Sequence, residues 1–156
     1  MPTDLPSVTA RTSGPTVKQF SIFLQNKVGA LLEIVKLLNS NNVHVIALNS
    51  QDSTDSAIVR ILASDPESVE SLFDLHEIAY SISEVLVVEM KEVATDLRRM
   101  LQCLLMAEVN IYVCYPILIR PHGRSAMALQ LDDQECGWSV LAGEGFNVLS
   151  QADLSR

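Results

Sequence analysis

The chain has 156 residues, 48% of them hydrophobic, and its 19 acidic and 11 basic residues give a formal net charge of −8. This acidic balance, with no cluster of lysine and arginine, argues against nucleic acid and anionic membranes as partners, because phosphate groups would repel the chain. The apolar content is well above that of a disordered chain, and no apolar run approaches the length of about 18 residues that a membrane-spanning helix needs.

The N-terminal segment and the cysteines indicate a cytoplasmic protein. Residues 1–16 are rich in Pro, Thr and Ser and lack the apolar core of a signal peptide, so we interpret them as a mobile tail. The three cysteines, Cys103, Cys114 and Cys136, are odd in number and show no C-x-x-C spacing. This pattern favours free thiols in a reducing cytoplasm over a disulfide framework or a zinc site.

Alternation and helical periodicity predict a β-α-β-β-α-β unit in the first half of the chain. The predicted strands are Val17–Leu24, Val43–Gln51, Ser56–Leu62 and Ile78–Ser83. The first helix runs from Ala30 to about Asn41. The second begins at the Asp-Pro-Glu sequence at 65–67, where Asp65 can cap it and Pro66 is tolerated at the first helical position. This order is typical of the ferredoxin-like fold.

The second half of the chain repeats the pattern of the first. Adding 66 to the positions of the apolar helix stripe Leu31, Ile34, Val35 and Leu38 gives Leu97, Met100, Leu101 and Leu104, which are again apolar. The repeat predicts strands at Glu84–Met90, Val109–Ile119, Ser125–Leu131 and Phe146–Leu149, and helices at Asp96–Ala107 and around Trp138. Because an internal repeat sets the domain count, we divide the chain into a tail, 1–16, a first module, 17–83, and a second module, 84–154.

The connection between the first strand and the first helix is a candidate binding element. It contains Asn26 and ends at Gly29. A strand-to-helix turn leaves the first backbone N–H groups of the helix without partners, and a glycine lets a ligand approach them closely. The same residues also fit an ordinary connection with a helix cap and a turn glycine, so both interpretations stay open at this point.

Two segments resemble the ACT domain. They are Leu24-Gln25-Asn26-Lys27-Val28-Gly29-Ala30-Leu31, followed by Val43-His44-Val45, and Ala107-Glu108-Val109-Asn110-Ile111. Together they make the chain similar to stand-alone tandem ACT proteins over residues 17–154. The resemblance implies an α+β fold of two ferredoxin-like βαββαβ modules, whose antiparallel sheets pair edge to edge into an eight-stranded sheet with the helices on one face. We therefore expect Val43–Ser50 and Val109–Pro116 to be neighbouring antiparallel strands, within one chain or swapped between the two chains of a homodimer.

The resemblance also implies a ligand site, most often for an amino acid, between the first loop of one module and the second strand of its partner. The expected ligand-binding residues are Asn26, Lys27, Val28, Gly29, Ala30, Leu31, Asn110 and Tyr112. The matching positions of the other half-sites hold Glu92, Thr95 and His44, which depart from the family's pattern. Because a glutamate would repel a ligand carboxylate, we expect this second site to be degenerate and one ligand to bind per chain.

The sequence shows no catalytic or metal-binding constellation and no motif for a phosphate or dinucleotide cofactor. The three histidines have no spaced catalytic partner, and Asp132-Asp133 fits a helix start better than a metal pair. Tyr112 and Tyr115 fit either the packing of an edge strand or stacking on a ligand.

Three functions stay open. The first, which the sequence favours, is an amino-acid-binding regulatory protein that is not an enzyme. The second is a non-catalytic subunit that docks on an enzyme of amino-acid metabolism and whose ligand site is vestigial. The third is a small enzyme on the same frame, because a fold does not fix a function. The identity of the amino acid and of a partner enzyme does not follow from the sequence.

Overall fold

The computed structural model describes residues 14–25, 29–52 and 54–155, which contain seven strands of one antiparallel sheet and five α-helices. In chain order the elements are β1 (Val17–Gln25), α1 (Ala30–Ser40), β2 (Val45–Asp52), β3 (Ser56–Ala63), α2 (Pro66–Leu75), β4 (Tyr80–Met90), α3 (Val93–Met106), β5 (Ile111–Pro116), a 3₁₀ turn (Pro121–Gly123), β6 (Ser125–Leu131), α4 (Gln134–Gly143), β7 (Val148–Leu149) and α5 (Gln151–Leu154). The predicted α+β class is confirmed.

Two helix starts follow local rules that are visible in the sequence. Asp65 accepts hydrogen bonds from the hydroxyl (2.6 Å) and the backbone N–H (3.2 Å) of Ser68, and Pro66 is the first helical residue, as predicted. These two hydrogen bonds lower the pKa of Asp65. Asp133 caps α4 in a similar way, by accepting from the N–H of Cys136 (3.0 Å). Each such cap contributes about 1 kcal/mol to stability.

One long strand, β4, belongs to both modules. Residues 80–85 pair with β1, and residues 86–90 pair with β6. The strands predicted at Ile78–Ser83 and Glu84–Met90 are therefore a single strand, which corrects the prediction. The physical reason is that no glycine, proline or turn sequence interrupts the chain at Ser83 and Glu84, so the backbone stays extended. The eight expected strands become seven.

The second strands of the two modules, β2 and β5, lie at opposite ends of the strand order β2-β3-β1-β4-β6-β5, and β7 pairs with β4. The sheet is curled, so that the segment after β5 lies next to β2. The N–H of Leu118 there donates to the carbonyl of Ile46 (2.7 Å). The ladder expected between Val43–Ser50 and Val109–Pro116 is not formed within the described chain, so the eight-stranded sheet was a wrong prediction for a single chain. Strand β4 already joins the modules, and β5 ends at Pro116, which has no N–H to donate.

Apolar side chains alternate between the two faces of this curled sheet. On the outer face, α1 and α2 cover a core that includes Phe20, Ile22, Leu38, Ile61 and Phe73, while α3 and α4 cover one that includes Leu86, Val88, Met100, Leu104 and Leu141. The four longer helices thus share one face, as expected. The inner face forms a third core with residues of both modules, among them Val17, Ile46, Val85, Tyr115 and Leu154 of α5. The modules are therefore joined by a shared core as well as by β4.

A chain of hydrogen bonds crosses the inner core. The Tyr115 hydroxyl donates to Gln19 Oε1 (2.6 Å), and Gln19 Nε2 donates to Gln130 Oε1 (2.9 Å). Gln19 is fully buried, and burial raises the pKa of Tyr115 well above its usual value. A polar group left unpaired at this depth would cost about 1–3 kcal/mol. These three side chains therefore fix β1 of the first module against β5 and β6 of the second.

The remaining sequence expectations concern thiols, metals and membranes. Cys103, Cys114 and Cys136 carry free thiols. Within the described ranges no group of three His, Cys, Asp or Glu side chains is placed to hold a metal ion. No helix in those ranges is long and apolar enough to cross a bilayer.

Candidate functional site

The first strand-to-helix loop joins β1 to α1 and, with the first two residues of α1, contains six of the eight predicted ligand-binding residues. Asn26, Lys27 and Val28 lie outside the described residues. Gly29 is the N-cap of α1 and has a φ of +95°, a left-handed conformation that strains any L side chain. A Cβ at this position would meet no described atom within 4 Å. The glycine is thus favoured by the backbone conformation, and no described residue fills the space beside it.

The start of α1 is uncapped in the part of the chain that the structure describes. The N–H of Glu33 donates to the carbonyl of Gly29 (2.9 Å), and no described side chain caps the N–H groups that precede it. Ala30 and Leu31, which begin the helix, are half-buried, and Leu31 packs against the outer core of the first module. Free N–H groups at the positive end of a helix dipole favour a bound anion.

The second strand-to-helix loop, between β4 and α3, is filled by a carboxylate of the chain itself. Asp96 Oδ2 accepts hydrogen bonds from the backbone N–H groups of Lys91 (2.8 Å) and Glu92 (3.1 Å). The other oxygen, Oδ1, lies 3.6 Å from Arg99 Nη1. The hydrogen bond from Glu92, the one from Lys91 and the charge of Arg99 together lower the pKa of Asp96, although it is buried.

The main difference between the two loops lies at one position of the repeat. Asp96 corresponds to Ala30 under the offset of 66 residues. The sequence interpretation attributed the degenerate second site to Glu92 and Thr95, both of which are exposed here, and it missed Asp96. The sequence does contain one signal for the role of Asp96. An acidic residue lies in the first turn of the predicted helix, where the first copy of the repeat has alanine.

A cleft of about 470 Å³ adjoins the second loop, between α3 and the turn that joins α4 to β7. Its lining includes Lys91, Glu92, Thr95, Asp96, Arg99 and Phe146. Arg99 is held at the wall of this cleft, because its guanidinium lies 4.3 Å from the centre of the Phe146 ring and donates to the carbonyl of Glu144 (3.3 Å). The cleft therefore combines acidic and basic groups close to the filled loop.

The second-strand residues of the predicted sites make well-defined local contacts. Asn110 donates twice to Asp132, from its N–H to Oδ1 (2.9 Å) and from Nδ2 to Oδ2 (3.0 Å). Because a carboxylate only accepts, the side-chain oxygen of Asn110 faces away from Asp132, and no described residue donates to it. His44, its counterpart in the first module, is exposed and is hydrogen-bonded to Ser64 through its backbone. Tyr112 is 66% exposed on β5.

In neither predicted composite site do the described residues join the loop to the second strand. Asn110 and Tyr112 lie close together along the chain at β5, but among the described residues no hydrogen bond or ion pair joins them to the first loop. Glu92 and Thr95 line a cleft that does not include His44. The composite sites, each built from a loop and a second strand, therefore stay predictions.

Comparisons with known proteins agree with this architecture. A family model described as an ACT domain pair matches residues 15–156. No curated protein gives a significant sequence match. Among solved structures, the chain is similar to protein BT0572 from Bacteroides thetaiotaomicron, with 25% identity and a TM-score of 0.83 over 92% of this chain and 99% of that chain.

The fold is also similar to that of two regulatory subunits of aspartate kinase. The subunit from Thermus thermophilus, in its ligand-free form, is 10% identical, with a TM-score of 0.57 over 84% of this chain and 93% of that chain. The subunit from Thermus flavus is 11% identical, with a TM-score of 0.54 over 83% of this chain and 93% of that chain.

Proposed function

We propose, from the premise that the chain belongs to the family of ACT domain pairs, that it is a regulatory protein without catalytic activity that binds one free α-amino acid per chain. The family match supports a small-molecule-binding regulatory role. The regulatory subunits of aspartate kinase that share the fold are consistent with that role. Two parts of the proposal, that the ligand is an amino acid and that it binds at the first loop, are argued from the two strand-to-helix loops of this chain.

The observation that carries the proposal is the contrast between the two loops. In the second loop, the N–H groups of Lys91 and Glu92 hold a carboxylate, that of Asp96. The first loop has Ala30 at the equivalent position, and no described side chain caps the start of α1. We propose that the first N–H groups of α1, which no described side chain caps, receive the carboxylate of a ligand. Such a helix start contributes about 0.3–1 kcal/mol of electrostatic stabilisation to a bound anion.

Asn110 is the proposed partner of the ligand's ammonium group. Asp132 holds the amide of Asn110 in one orientation, which leaves the side-chain oxygen as a preorganised acceptor. The exposed ring of Tyr112, on the same strand, offers a surface against which a ligand side chain can pack. Leu24, half-buried near the end of β1, gives the first loop an apolar rim, which favours an uncharged ligand side chain.

A homodimer would complete this site. Within one chain no described hydrogen bond or ion pair joins the first loop to Asn110, and the ladder partner of β5 is β6 alone. The outer edge of β5 has no ladder, although Leu118 next to it is bonded to Ile46 of β2, and an edge strand without a ladder pairs readily with another chain. We therefore propose that the first loop of one chain meets β5 of a second copy, which gives the swapped form of the expected composite site.

A second candidate function is that of a subunit that docks on an enzyme of amino-acid metabolism and has lost ligand binding. The observation that favours it is a set of exposed apolar side chains on α3. Leu101 is 42% exposed, Leu105 is 76% exposed and Met106 is 86% exposed. Several exposed apolar residues on one helix mark an interaction surface more often than isolated ones do.

A thermal-shift screen against the twenty amino acids at millimolar concentration separates these candidates. A ligand at about one hundred times its dissociation constant stabilises the fold by about 2.7 kcal/mol, which for a chain of this size raises the thermal midpoint by about 5–10 °C. Asn110→Ala should abolish the rise. Asp132→Ala, which removes the same two hydrogen bonds but keeps the acceptor oxygen of Asn110, should reduce the rise only in part, because the amide then loses its fixed orientation.

Two outcomes would count against the proposed function. If no amino acid raises the midpoint, the docking subunit becomes the better account. If sedimentation shows a monomer that still binds the amino acid, the ligand site does not need a second copy of the chain.

A further inference from the structure

The second loop, together with Arg99 of α3, binds a carboxylate of the chain itself through two backbone hydrogen bonds and one ion pair. Two backbone N–H groups, those of Lys91 and Glu92, bind one oxygen of Asp96, and the Arg99 guanidinium lies 3.6 Å from the other. Asp96 is only 8% exposed. This arrangement differs from the ordinary cap of α4, where Asp133 accepts from the N–H of a single residue three positions later and makes no described ion pair.

Arg99 does not depend on Asp96 for its position. Its guanidinium is stacked on the Phe146 ring at 4.3 Å and bound to the Glu144 carbonyl at 3.3 Å. The two N–H donors belong to backbone that follows directly on β4, the strand shared by both modules. Removing the Asp96 side chain would therefore leave the three donor groups in place.

There is also room for a free ligand. The cleft of about 470 Å³ reaches Asp96, so the space of its side chain is continuous with an open volume. The nearby acid Glu89 is already compensated, because Asn147 Nδ2 donates to it (2.7 Å) and Arg124 Nη1 lies 3.8 Å away. Glu92 and Glu144 are exposed to water, which weakens their repulsion of a bound anion.

We propose that Asp96 is a built-in ligand that keeps the second loop closed, and that the loop binds a small free monocarboxylate in its place when this side chain is removed. The inference deepens the proposed function, because it accounts for the choice of the first loop, with Ala30, as the proposed ligand site. A tethered carboxylate competes at a high effective concentration, so a free carboxylate does not displace it from the wild-type loop.

A chemical rescue of the Asp96→Ala variant tests this proposal. In sodium chloride, the thermal midpoint of the variant should lie below that of the wild type. Sodium acetate at the same concentration should recover at least half of this loss, and the gain from acetate should exceed any gain seen in the wild type. Asp133→Ala is the matched control: it also loses a helix cap, but acetate should give it no more gain than the wild type shows.

An acetate gain in Asp96→Ala that is no larger than in the wild type, or an equal gain in Asp133→Ala, would overturn the proposal. If Asp96→Ala does not fold in chloride, the same variant is refolded with formate in place of chloride and followed by amide NMR during a formate titration. Saturable shifts of the Lys91 and Glu92 N–H signals support the proposal, and their absence overturns it. Because the probes are acetate and formate at the second loop, a failure of amino acids to bind at the first loop leaves this test unaffected.

Discussion

The two strand-to-helix loops occupy equivalent places in a sequence repeat, yet among the described residues only the second has its backbone N–H groups bound by a side chain of the protein. In the second loop these groups bind Asp96, which ties the end of β4 to the start of α3. In the first loop, Gly29 and Ala30 offer no side chain that could do the same. On the proposed function, the comparison teaches that one residue in the first turn of the helix distinguishes a loop that stabilises the fold from a loop that binds a ligand.

The largest effect is expected from introducing an aspartate in the first module at the position that corresponds to Asp96. Ala30→Asp should remove the ligand-induced stabilisation of about 2.7 kcal/mol, because a tethered carboxylate would occupy the N–H groups. The measurement is the thermal midpoint with and without the amino acid found in the screen. Ala94→Asp, which adds the same charge at an exposed position near the start of α3, should keep the full rise. Undiminished binding by Ala30→Asp would break the comparison.

Gly29→Val is expected to have the next largest effect. A β-branched residue at a φ of +95° costs about 1–3 kcal/mol of the free energy of unfolding, and it should also block a ligand carboxylate. Urea denaturation and binding calorimetry measure the two losses. Thr95→Val, at the corresponding position of the second copy, is exposed and should change the stability by less than about 0.5 kcal/mol and leave binding intact. Equal losses of affinity in both variants would show that the loops are equivalent.

Asp96→Asn should show that the second loop stabilises the fold. We expect a loss of about 0.5–2 kcal/mol in the free energy of unfolding at neutral pH. Because folding lowers the pKa of Asp96, its ionised form stabilises the fold above its ordinary pKa of about 3.9, and this contribution is lost as the pH falls through the lowered value. The difference between wild type and variant should therefore shrink on acidification. Denaturant unfolding at a series of pH values measures it, and a difference that grows towards low pH would contradict this assignment.

The smallest effect is expected at the strand residue of the degenerate site. His44→Asn introduces the residue that the second module has at this position, Asn110. It should change the free energy of unfolding by less than about 0.5 kcal/mol, because the side chain is exposed and the contacts with Ser64 use the His44 backbone. A larger loss in denaturant unfolding would mean that the His44 side chain makes a contribution to the fold that its exposure does not suggest.

The order of the elements could be predicted from the sequence because it depends on short-range patterns. The Asp65 and Pro66 start of α2 and the apolar stripe that buries Leu38 and Leu104 need only residues within a few turns. The curl of the sheet and the fusion into β4 depend on contacts between distant residues. The hydrogen bond from Tyr115 to Gln19, for example, spans 96 residues and has no local signature.

The candidate site could be predicted only in part, for a similar reason. Gly29 was singled out as a glycine at a strand-to-helix turn, which local sequence shows, and the structure places it at the N-cap of α1 in a left-handed conformation. The role of Asp96 was missed because its side chain bonds backwards, to N–H groups four and five residues earlier. A pattern of residue types shows that an acid lies in the first turn, but it does not show which backbone groups the acid occupies.

The shared strand β4 has a consequence for communication between the modules. Paired domains joined by a flexible linker can rotate about a hinge, but here the joint is a continuous strand that is hydrogen-bonded to β1 along one half and to β6 along the other. A rotation of one module against the other would break ladder hydrogen bonds, so the chain has no hinge at this joint. We therefore expect a change at the first loop, which follows directly on β1, to reach the second module through the twist of the sheet, and we expect the two modules to unfold in a single cooperative transition.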